Sequence, residues 1–434
     1  MTPGTVASIL FGLLFLLIIL RVPVAFALAL ACIPVFFIEP RLTPVLVLQE
    51  MFRSYNSFVL LAVPFFLLAA NLMNAAGITD RLIRLARAMV GHLPGGLGHV
   101  NVVVSMFFAG ISGSSTADAA GIGSLLIPQM KKEGFSPSFS VAVTACSSVM
   151  GVIIPPSILM VVWGGLMSVS IGGLFVAGIL PGILIGMAMM VAVYVYAHRH
   201  GMQPHGRATL GEFASALVGA LLALLTPIII VGGIVGGLFT PTEASVVAAL
   251  YALVLGLIVY RAVGPREVAH VFYNTGRFAA IALFCIGTAS AFGWTLAYFK
   301  IPAALVSYVQ VLDLGIVEMG FAVAIAFLII GCFIDAIPAI IILGTVLYPV
   351  TQEVGMHPIH FAMIGIISLA FGLVTPPYGL CLLISCSIGE IPVKAAMRDV
   401  AFILLPMLTI LVLVVLFPSI TLWLPRLLMP QFVN

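Results

Sequence analysis

Charged residues are scarce in this sequence. Asp, Glu, Lys and Arg make up 7% of the 434 residues, against about 25% in soluble domains, which excludes a sizeable soluble domain. No run of basic residues alternates with aromatic ones, so a nucleic-acid-binding surface is also excluded. The six cysteines all lie in apolar stretches without the spacing of metal ligands, and we expect free thiols. No apolar stretch holds paired acids or a His-ligated metal group, which disfavours an intramembrane enzyme.

Apolar residues dominate instead. Hydrophobic residues make up 63% of the chain, and its mean hydropathy is +1.29, which predicts an all-α polytopic membrane protein. A chain of this length holds about ten spans of roughly 20 residues. The first span has no basic region before it and no small-residue cleavage site after it, so we expect it to stay uncleaved. The predicted spans are 6–20, 24–38, 58–76, 139–167, 172–197, 214–238, 243–260, 278–298, 361–388 and 400–424.

Three segments between the spans are predicted to lie outside the membrane core. They are a polar connection over residues 39–53, an amphipathic surface helix over 80–92 and a basic loop over 261–277. The surface helix is predicted from arginines that stand three residues apart between apolar residues.

An internal repeat organises the chain. The stretch from Gly110 to Pro156 returns as Gly331 to Pro377 without a gap, at an offset of 221 residues that maps glycine onto glycine and proline onto proline. Because glycine and proline mark backbone breaks, their shared spacing indicates a shared backbone path. We therefore predict two copies of one unit, residues 1–207 and 208–434.

Each copy contains a predicted re-entrant hairpin and a broken helix. The hairpins are residues 97–130 and 320–349, and the broken helices are 139–167 and 361–388. With five spans in each copy, the second copy is inserted upside down. Inverted repeats with paired broken helices are typical of secondary transporters, whose binding sites form where half-helix ends meet at the middle of the membrane.

The basic residues support this topology. If the N-terminus is outside, 13 of the 17 Lys and Arg residues are cytoplasmic. The positive-inside rule therefore predicts that both termini are outside. The cytoplasmic set is Arg21, Arg81, Arg84, Arg87, Lys131, Lys132, Arg199, Arg207, Arg261, Arg266, Arg277, Lys394 and Arg398.

The four backbone breaks carry the predicted chemistry. A break frees backbone carbonyls and backbone amides. The carbonyls, together with hydroxyl oxygens, can bind a cation such as Na⁺, and the amides can bind an anionic substrate. Asp335 is aligned with Ser114 and adds a charged oxygen. The predicted sodium-binding residues are Ser112, Gly113, Ser114, Ser115, Ser147 and Gly151 at the first site, and Asp335, Gly372 and Thr375 at the second. The predicted substrate-binding residues are Thr116, Ser148, Pro155, Pro156, Ser368, Pro376 and Pro377.

Structural interpretations stand beside these assignments. Ser115 and Asp118 fit a capping box, and Asp335 fits a helix N-cap, so polar groups at a hairpin tip could serve only the backbone. Asp118 is predicted as a structural cap, with ion binding as the alternative. Thr240 and Glu243 fit a capping box with Pro241 at the first helical position, which predicts a structural role for both.

The motifs at these positions resemble the large membrane subunit of tripartite ATP-independent periplasmic (TRAP) transporters. They are Ser112 to Asp118, Gly151 to Ser157, Thr240 to Ala244, Asp335 to Ala339 and Thr375 to Gly379, and the resemblance covers nearly the whole chain. It implies Na⁺-driven import of an organic acid across the bacterial inner membrane by an elevator-type transporter, in which a mobile domain of hairpins and broken helices moves against a scaffold. It also implies sodium ligands at Ser112 to Ser115 and around Gly151, and at Asp335 and Gly372 to Thr375.

The resemblance also implies two protein partners. One is a periplasmic substrate-binding protein, and the other is a small four-span membrane subunit, which we expect to be a separate chain. Val152 and Ser368 depart from the family pattern, where proline and asparagine are common, and this affects the detail of the sites. A stand-alone sodium-coupled dicarboxylate transporter, which needs no binding protein, is the alternative.

Overall fold

Helices make up all the regular structure that is described. The computed structural model describes residues 2–39, 41–204 and 206–432. Within these ranges there is no strand, and the predicted all-α class is confirmed. Many helices carry proline in their first turn, for example α9 at Pro137 and α18 at Pro358, where the missing N–H has no helical partner to lose.

The first half of the chain contains eleven described helices, together with 3₁₀ turns at Phe58–Leu61 and Val149–Val152. The helices are α1 (Pro3–Ile19), α2 (Val24–Ala31), α3 (Val35–Ile38), α4 (Pro44–Tyr55), α5 (Ala62–Ala75), α6 (Ile78–Val90), α7 (Gly96–Ser112), α8 (Ser115–Lys132), α9 (Pro137–Ser148), α10 (Ile158–Met167) and α11 (Ile171–Arg199).

The second half contains ten described helices, with a π-helical segment at Leu255–Val259 and a 3₁₀ turn at Pro430–Phe432. The helices are α12 (Leu210–Val235), α13 (Pro241–Val254), α14 (Pro265–Tyr298), α15 (Ile301–Leu312), α16 (Ile316–Gly331), α17 (Ala336–Glu353), α18 (Pro358–Gly372), α19 (Leu380–Gly389), α20 (Val393–Leu416) and α21 (Ser419–Leu428).

Seven of the described helices are long and apolar enough to cross a membrane, which confirms a polytopic chain. Six coincide with predicted spans: α5 with its 3₁₀ turn, α11, α12, α13 with its π segment, α14 and α20. The seventh, α17, is the second arm of the predicted hairpin 320–349. The other four predicted spans are α1 and three pairs of shorter helices, α2 with α3, α9 with α10, and α18 with α19. The count of ten spans stays a prediction.

Three boundaries differ from those predicted. The polar connection 39–53 contains α4, which packs on α14. The prediction of a basic loop over 261–277 is wrong beyond residue 264, because α14 begins at Pro265. The last predicted span ends early, at Leu416, since Phe417 leaves the helical conformation before Pro418, as a residue preceding proline usually does. In contrast, α6 forms the predicted amphipathic helix, with Leu82 and Leu85 buried and Arg84 exposed.

Helix bounds in the two halves follow the offset of 221 residues. Helices α8 and α17 have 18 residues each and both begin and end at this offset. Helices α9 and α18 also begin at this offset, at Pro137 and Pro358. The division at residue 207 and the inverted orientation of the second unit stay predictions.

The two halves share one apolar core. Trp163 of α10 is fully buried, with its ring 5.4 Å from the ring of Phe327 on α16 and 5.2 Å from that of Phe361 on α18. Polar contacts also join the halves: Lys131 Nζ donates to the Gly389 carbonyl at 2.7 Å. This shared core holds the first broken helix against the second hairpin and the second broken helix.

Candidate functional site

Both hairpin tips and both broken helices line one cavity of about 1220 Å³. Helices α5 and α14 and the α1–α2 turn form its other walls. The structure therefore brings together segments that lie more than 200 residues apart in the chain. The predicted site residues on this cavity are Gly113, Ser114, Ser115, Thr116, Asp335 and Pro377.

The first hairpin turns at Gly113, which has a positive φ of 62° that favours glycine. Ser114 is the N-cap of α8, and its hydroxyl accepts from Ala117 N at 3.5 Å and lies 3.1 Å from Thr116 Oγ1. The Gly113 carbonyl accepts from Ile158 N at 3.2 Å. The tip of the hairpin is thus fastened to the start of α10, in the second part of the first broken helix.

Asp118 is buried directly behind this tip. Ser112 Oγ donates to Asp118 Oδ1, whereas Asp118 Oδ2 has no hydrogen-bond partner among the described residues. No basic side chain in the described ranges forms a salt bridge with it. A buried carboxylate without a compensating charge is costly, so this position is suited to hold a cation.

The predicted capping box at Ser115 and Asp118 does not form. Ser114, one residue earlier, is the N-cap, so the third helical position is Ala117 and Asp118 is one residue too far along the helix. The Asp118 carboxylate turns back to Ser112 instead. It faces the first broken helix, because a Cβ atom at Gly151 would collide with Asp118 Oδ2. Gly151 is therefore the residue that lets the break approach the carboxylate.

The second break places a carboxylate at the cavity itself. Asp335 is the N-cap of α17, where its Oδ1 accepts from Ala336 N at 2.8 Å, and its side chain is exposed to the cavity. Gly372 lies against Gly331, since a Cβ atom at Gly372 would be 2.6 Å from the Gly331 carbonyl carbon. Thr375 Oγ1 donates to the Phe371 carbonyl at 2.8 Å.

Proline makes both breaks. In a continuous helix the carbonyls of Gly151 and Val152 would accept from the N–H groups of residues 155 and 156, which are prolines and have none. The carbonyls of Gly372 and Leu373 lack helical donors for the same reason, because residues 376 and 377 are prolines. Ser157 Oγ donates to the Val152 carbonyl at 2.7 Å, and Cys381 N donates to the Leu373 carbonyl at 3.0 Å. The peptide bonds Pro155–Pro156 and Pro376–Pro377 are cis.

Three predicted serines are buried away from the cavity. Ser147 Oγ donates to Asn101 Oδ1 at 3.0 Å, Ser148 Oγ to the Ala145 carbonyl at 2.7 Å, and Ser368 Oγ to the Ile364 carbonyl at 2.7 Å. Their contact with an ion or a substrate stays a prediction.

Several cavity residues with polar or reactive side chains were not predicted as site residues from the sequence. Asn71 and Asn74 of α5, Arg21 at the α1–α2 turn and Cys285 of α14 line its walls. Asn71 Nδ2 donates to Thr275 Oγ1 at 2.9 Å. The sequence does contain a signal for the two asparagines, because polar residues three apart in an otherwise apolar span indicate a helix face that is directed to the protein interior.

The predicted cap residues Thr240 and Glu243 lie elsewhere, at the start of α13. Thr240 N donates to Glu243 Oε2 at 2.8 Å, and Glu243 N donates to Thr240 Oγ1 at 3.3 Å. These are the two reciprocal bonds of a capping box.

The available ligands are oxygens. No group of three or more His, Cys, Asp or Glu residues comes together anywhere in the described ranges. The two breaks offer hydroxyls, backbone carbonyls and one carboxylate each. Such a set fits a hard cation of low charge rather than a transition metal.

Solved transporters share this fold. A YdaH transporter of Alcanivorax borkumensis aligns over 86% of both chains with a TM-score of 0.59 and 16% sequence identity. MtrF of Neisseria gonorrhoeae aligns over 85% of this chain and 84% of its own, with a TM-score of 0.55 and 14% identity. At such identities the likeness concerns the fold alone.

Sequence comparisons give the family. The sialic acid TRAP transporter large permease protein SiaM of Vibrio cholerae is 38% identical over 87% of this chain and 89% of its own. The C4-dicarboxylate TRAP transporter large permease protein DctM of Pseudomonas aeruginosa is 36% identical over 87% of this chain and 88% of its own. The family described as tripartite ATP-independent periplasmic transporter, DctM component, matches residues 11–420. The chain belongs to that family, as the large permease component of a TRAP transporter.

Proposed function

We propose that this permease imports an organic acid by sodium symport, with the substrate delivered by a periplasmic binding protein. One observation carries the proposal: two hairpins and two broken helices line a single cavity, and each break brings an acidic side chain, Asp118 or Asp335. The chemical class of the relatives' substrates supports an organic acid, because two of them are named for sialic acid and C4-dicarboxylates.

The proposed sodium sites lie where each hairpin meets its broken helix. At the first, Asp118 Oδ2 supplies charge, and Gly151 allows the break to approach it. At the second, Asp335 supplies the charge, and the contact of Gly372 with Gly331 brings the carbonyl end of α18 close to α16. Binding of a cation would relieve the cost of the buried Asp118 carboxylate and would neutralise the Asp335 carboxylate at the cavity.

The organic acid would bind between these sites, in the same cavity. The N-terminal ends of α8 and α17 line it, and an anion is favoured at such ends. Asn71 and Asn74 add polar groups from the facing wall, and Arg21 adds a positive charge at its edge. Sodium at the breaks would lower the local negative charge, which couples binding of the cation to binding of the anion.

Movement completes the proposed cycle. We propose that the hairpins and broken helices form one mobile domain of an inverted repeat and move as an elevator against a scaffold that includes α5 and α14. The bond between Lys131 and Gly389 supports joint movement, since it links the first hairpin to the second broken helix. The partners in this proposal are the binding protein and a small four-span membrane subunit on a separate chain, in a bacterial inner membrane with both termini outside.

Reconstitution in proteoliposomes tests the proposal. The chain, its small subunit and a cognate binding protein are combined, and organic-acid uptake is measured with an inward sodium gradient and with potassium replacing sodium. Uptake should require both the binding protein and sodium, and Asp335→Ala should abolish it. Uptake without the binding protein would identify the stand-alone sodium-dicarboxylate transporter instead. Equal uptake in sodium and potassium would contradict the proposed coupling.

A further inference from the structure

A second cavity lies apart from the transport site. It is a cleft of about 910 Å³ between α6 and the first turns of α12, and we call it the basic cleft. Four arginines line it, and the proposed transport cycle uses none of them. They are Arg81, Arg84, Arg87 and Arg207.

These arginines are not neutralised by the protein. Within the described residues, none of the four forms a salt bridge, although Glu133 and Glu212 also line the cleft. Glu212 Oε2 is occupied by Thr209, whose N and Oγ1 both donate to it.

Two of the four arginines have contacts of their own. Arg81 stacks over the Tyr260 ring, 3.8 Å from its centroid, and Arg87 Nη2 donates to Gln129 Oε1 at 3.0 Å. The guanidinium groups of Arg84 and Arg207 make no hydrogen bond to any other described residue, and both side chains are exposed. They remain available for an anion.

The shape of the cleft suits a molecule that is polar at one end and apolar at the other. Helix α12 presents small residues to it, and a Cβ atom at Gly211 or Gly219 would meet nothing within 4 Å. The same helix begins at Leu210 as one of the membrane-spanning candidates, and it leaves Val218 71% and Leu221 48% exposed. The arginines therefore lie at the level where a phospholipid headgroup meets its acyl chains.

We propose that the basic cleft binds an anionic phospholipid. Its phosphate is held by Arg84 and Arg207, because guanidinium groups bind phosphate in a bidentate manner. Its acyl chains lie along the open groove of α12. Basic pockets between membrane helices recognise anionic headgroups in this way. Because the membrane-spanning candidate α12 forms one wall of the cleft, a lipid is favoured over a soluble phosphate.

Native mass spectrometry of the full-length chain in detergent tests this site. Phosphatidylglycerol and phosphatidylcholine are added in parallel, and the bound lipid is counted. The wild type should retain phosphatidylglycerol preferentially, and each of Arg84→Gln and Arg207→Gln should weaken its binding roughly fivefold. Arg41→Gln, which removes an exposed arginine elsewhere on the molecule, should leave the preference unchanged. The double variant Arg84→Lys with Arg207→Lys keeps the charge but loses the bidentate contact, so it should bind phosphatidylglycerol more weakly than the wild type and more tightly than the Gln variants.

Four results would overturn the proposal. The first is equal retention of both lipids by the wild type. The second is unchanged binding of phosphatidylglycerol in the Gln variants. The third is loss of the bound lipid when the small subunit is present, which would assign the cleft to a protein interface. Inorganic phosphate serves as the soluble probe, and displacement of the lipid by millimolar phosphate would likewise overturn the assignment to a membrane lipid.

Discussion

At the residue scale, Asp118 matters most to the proposed coupling. Its Oδ2 is buried without a partner, so Asp118→Asn removes a charge while preserving the shape of the side chain. We expect the sodium concentration that gives half-maximal uptake to rise roughly tenfold or more, because a charged ligand is lost. Sodium titration of uptake in proteoliposomes measures this change. Asp80→Asn, at an exposed position on α6, is the matched control, and an equal effect of both variants would contradict a specific role.

Gly151 gives a second prediction at this scale. In Gly151→Ala the new Cβ atom would press on Asp118 and on the backbone of Ser114, and overpacking of this kind costs about 1–3 kcal/mol. We expect a lower unfolding temperature and weaker sodium dependence together. Gly121→Ala adds the same methyl group to α8 with only ordinary contact to Asn74, at 3.7 Å. If Gly121→Ala were equally harmful, close approach at the break would not be the cause.

The sequence indicated most of the residues at the breaks but not their partners. Glycine and proline spacing located Gly113 and Gly151, because backbone breaks leave a direct mark on the sequence. The capping box at Ser115 and Asp118 was predicted wrongly, since a shift of one residue in the N-cap decides whether a side chain caps the helix. Asn71 and Asn74 were missed although their spacing marks an interior face of α5, because the pattern does not identify the segments that this face meets.

At the element scale, we expect the capping box of α13 to stabilise the helix and to take no part in sodium binding. Thr240→Ala removes the acceptor for Glu243 N and should lower the unfolding temperature, while Thr240→Ser should restore it. Thermal unfolding followed by circular dichroism measures both variants. The sodium dependence of uptake should be the same in each. A selective loss of sodium dependence in Thr240→Ala would assign this motif to the ion pathway.

The elements themselves were largely predictable, and the exceptions have physical causes. Long apolar runs predicted α11, α12 and the second part of α14, because burial and hydropathy act over whole helices. Helix α4 was missed because its polar residues read as a connection, whereas in the structure it packs on α14. The last span ends early because a single proline, Pro418, interrupts it.

At the scale of the whole molecule, the predicted topology can be tested directly. Cysteine substituted for Arg53 should react with a membrane-impermeant maleimide in intact cells, since the positive-inside rule places it outside. Cysteine substituted for Arg207 should react only after the membrane is permeabilised. The unsubstituted chain is the control for the native cysteines. Labelling of both positions from the same side would contradict the inverted arrangement of the two units.

Sodium binding to the purified chain tests the central claim most directly. A cation that binds only the folded state raises its stability as its concentration rises, by about 2.7 kcal/mol at 100 times its Kd. The unfolding temperature is therefore measured in sodium chloride and in potassium chloride at equal ionic strength. We predict a higher unfolding temperature in sodium, and loss of this difference when Asp118 and Asp335 are both changed to Asn. Identical unfolding temperatures in the two salts would contradict sodium sites at the breaks.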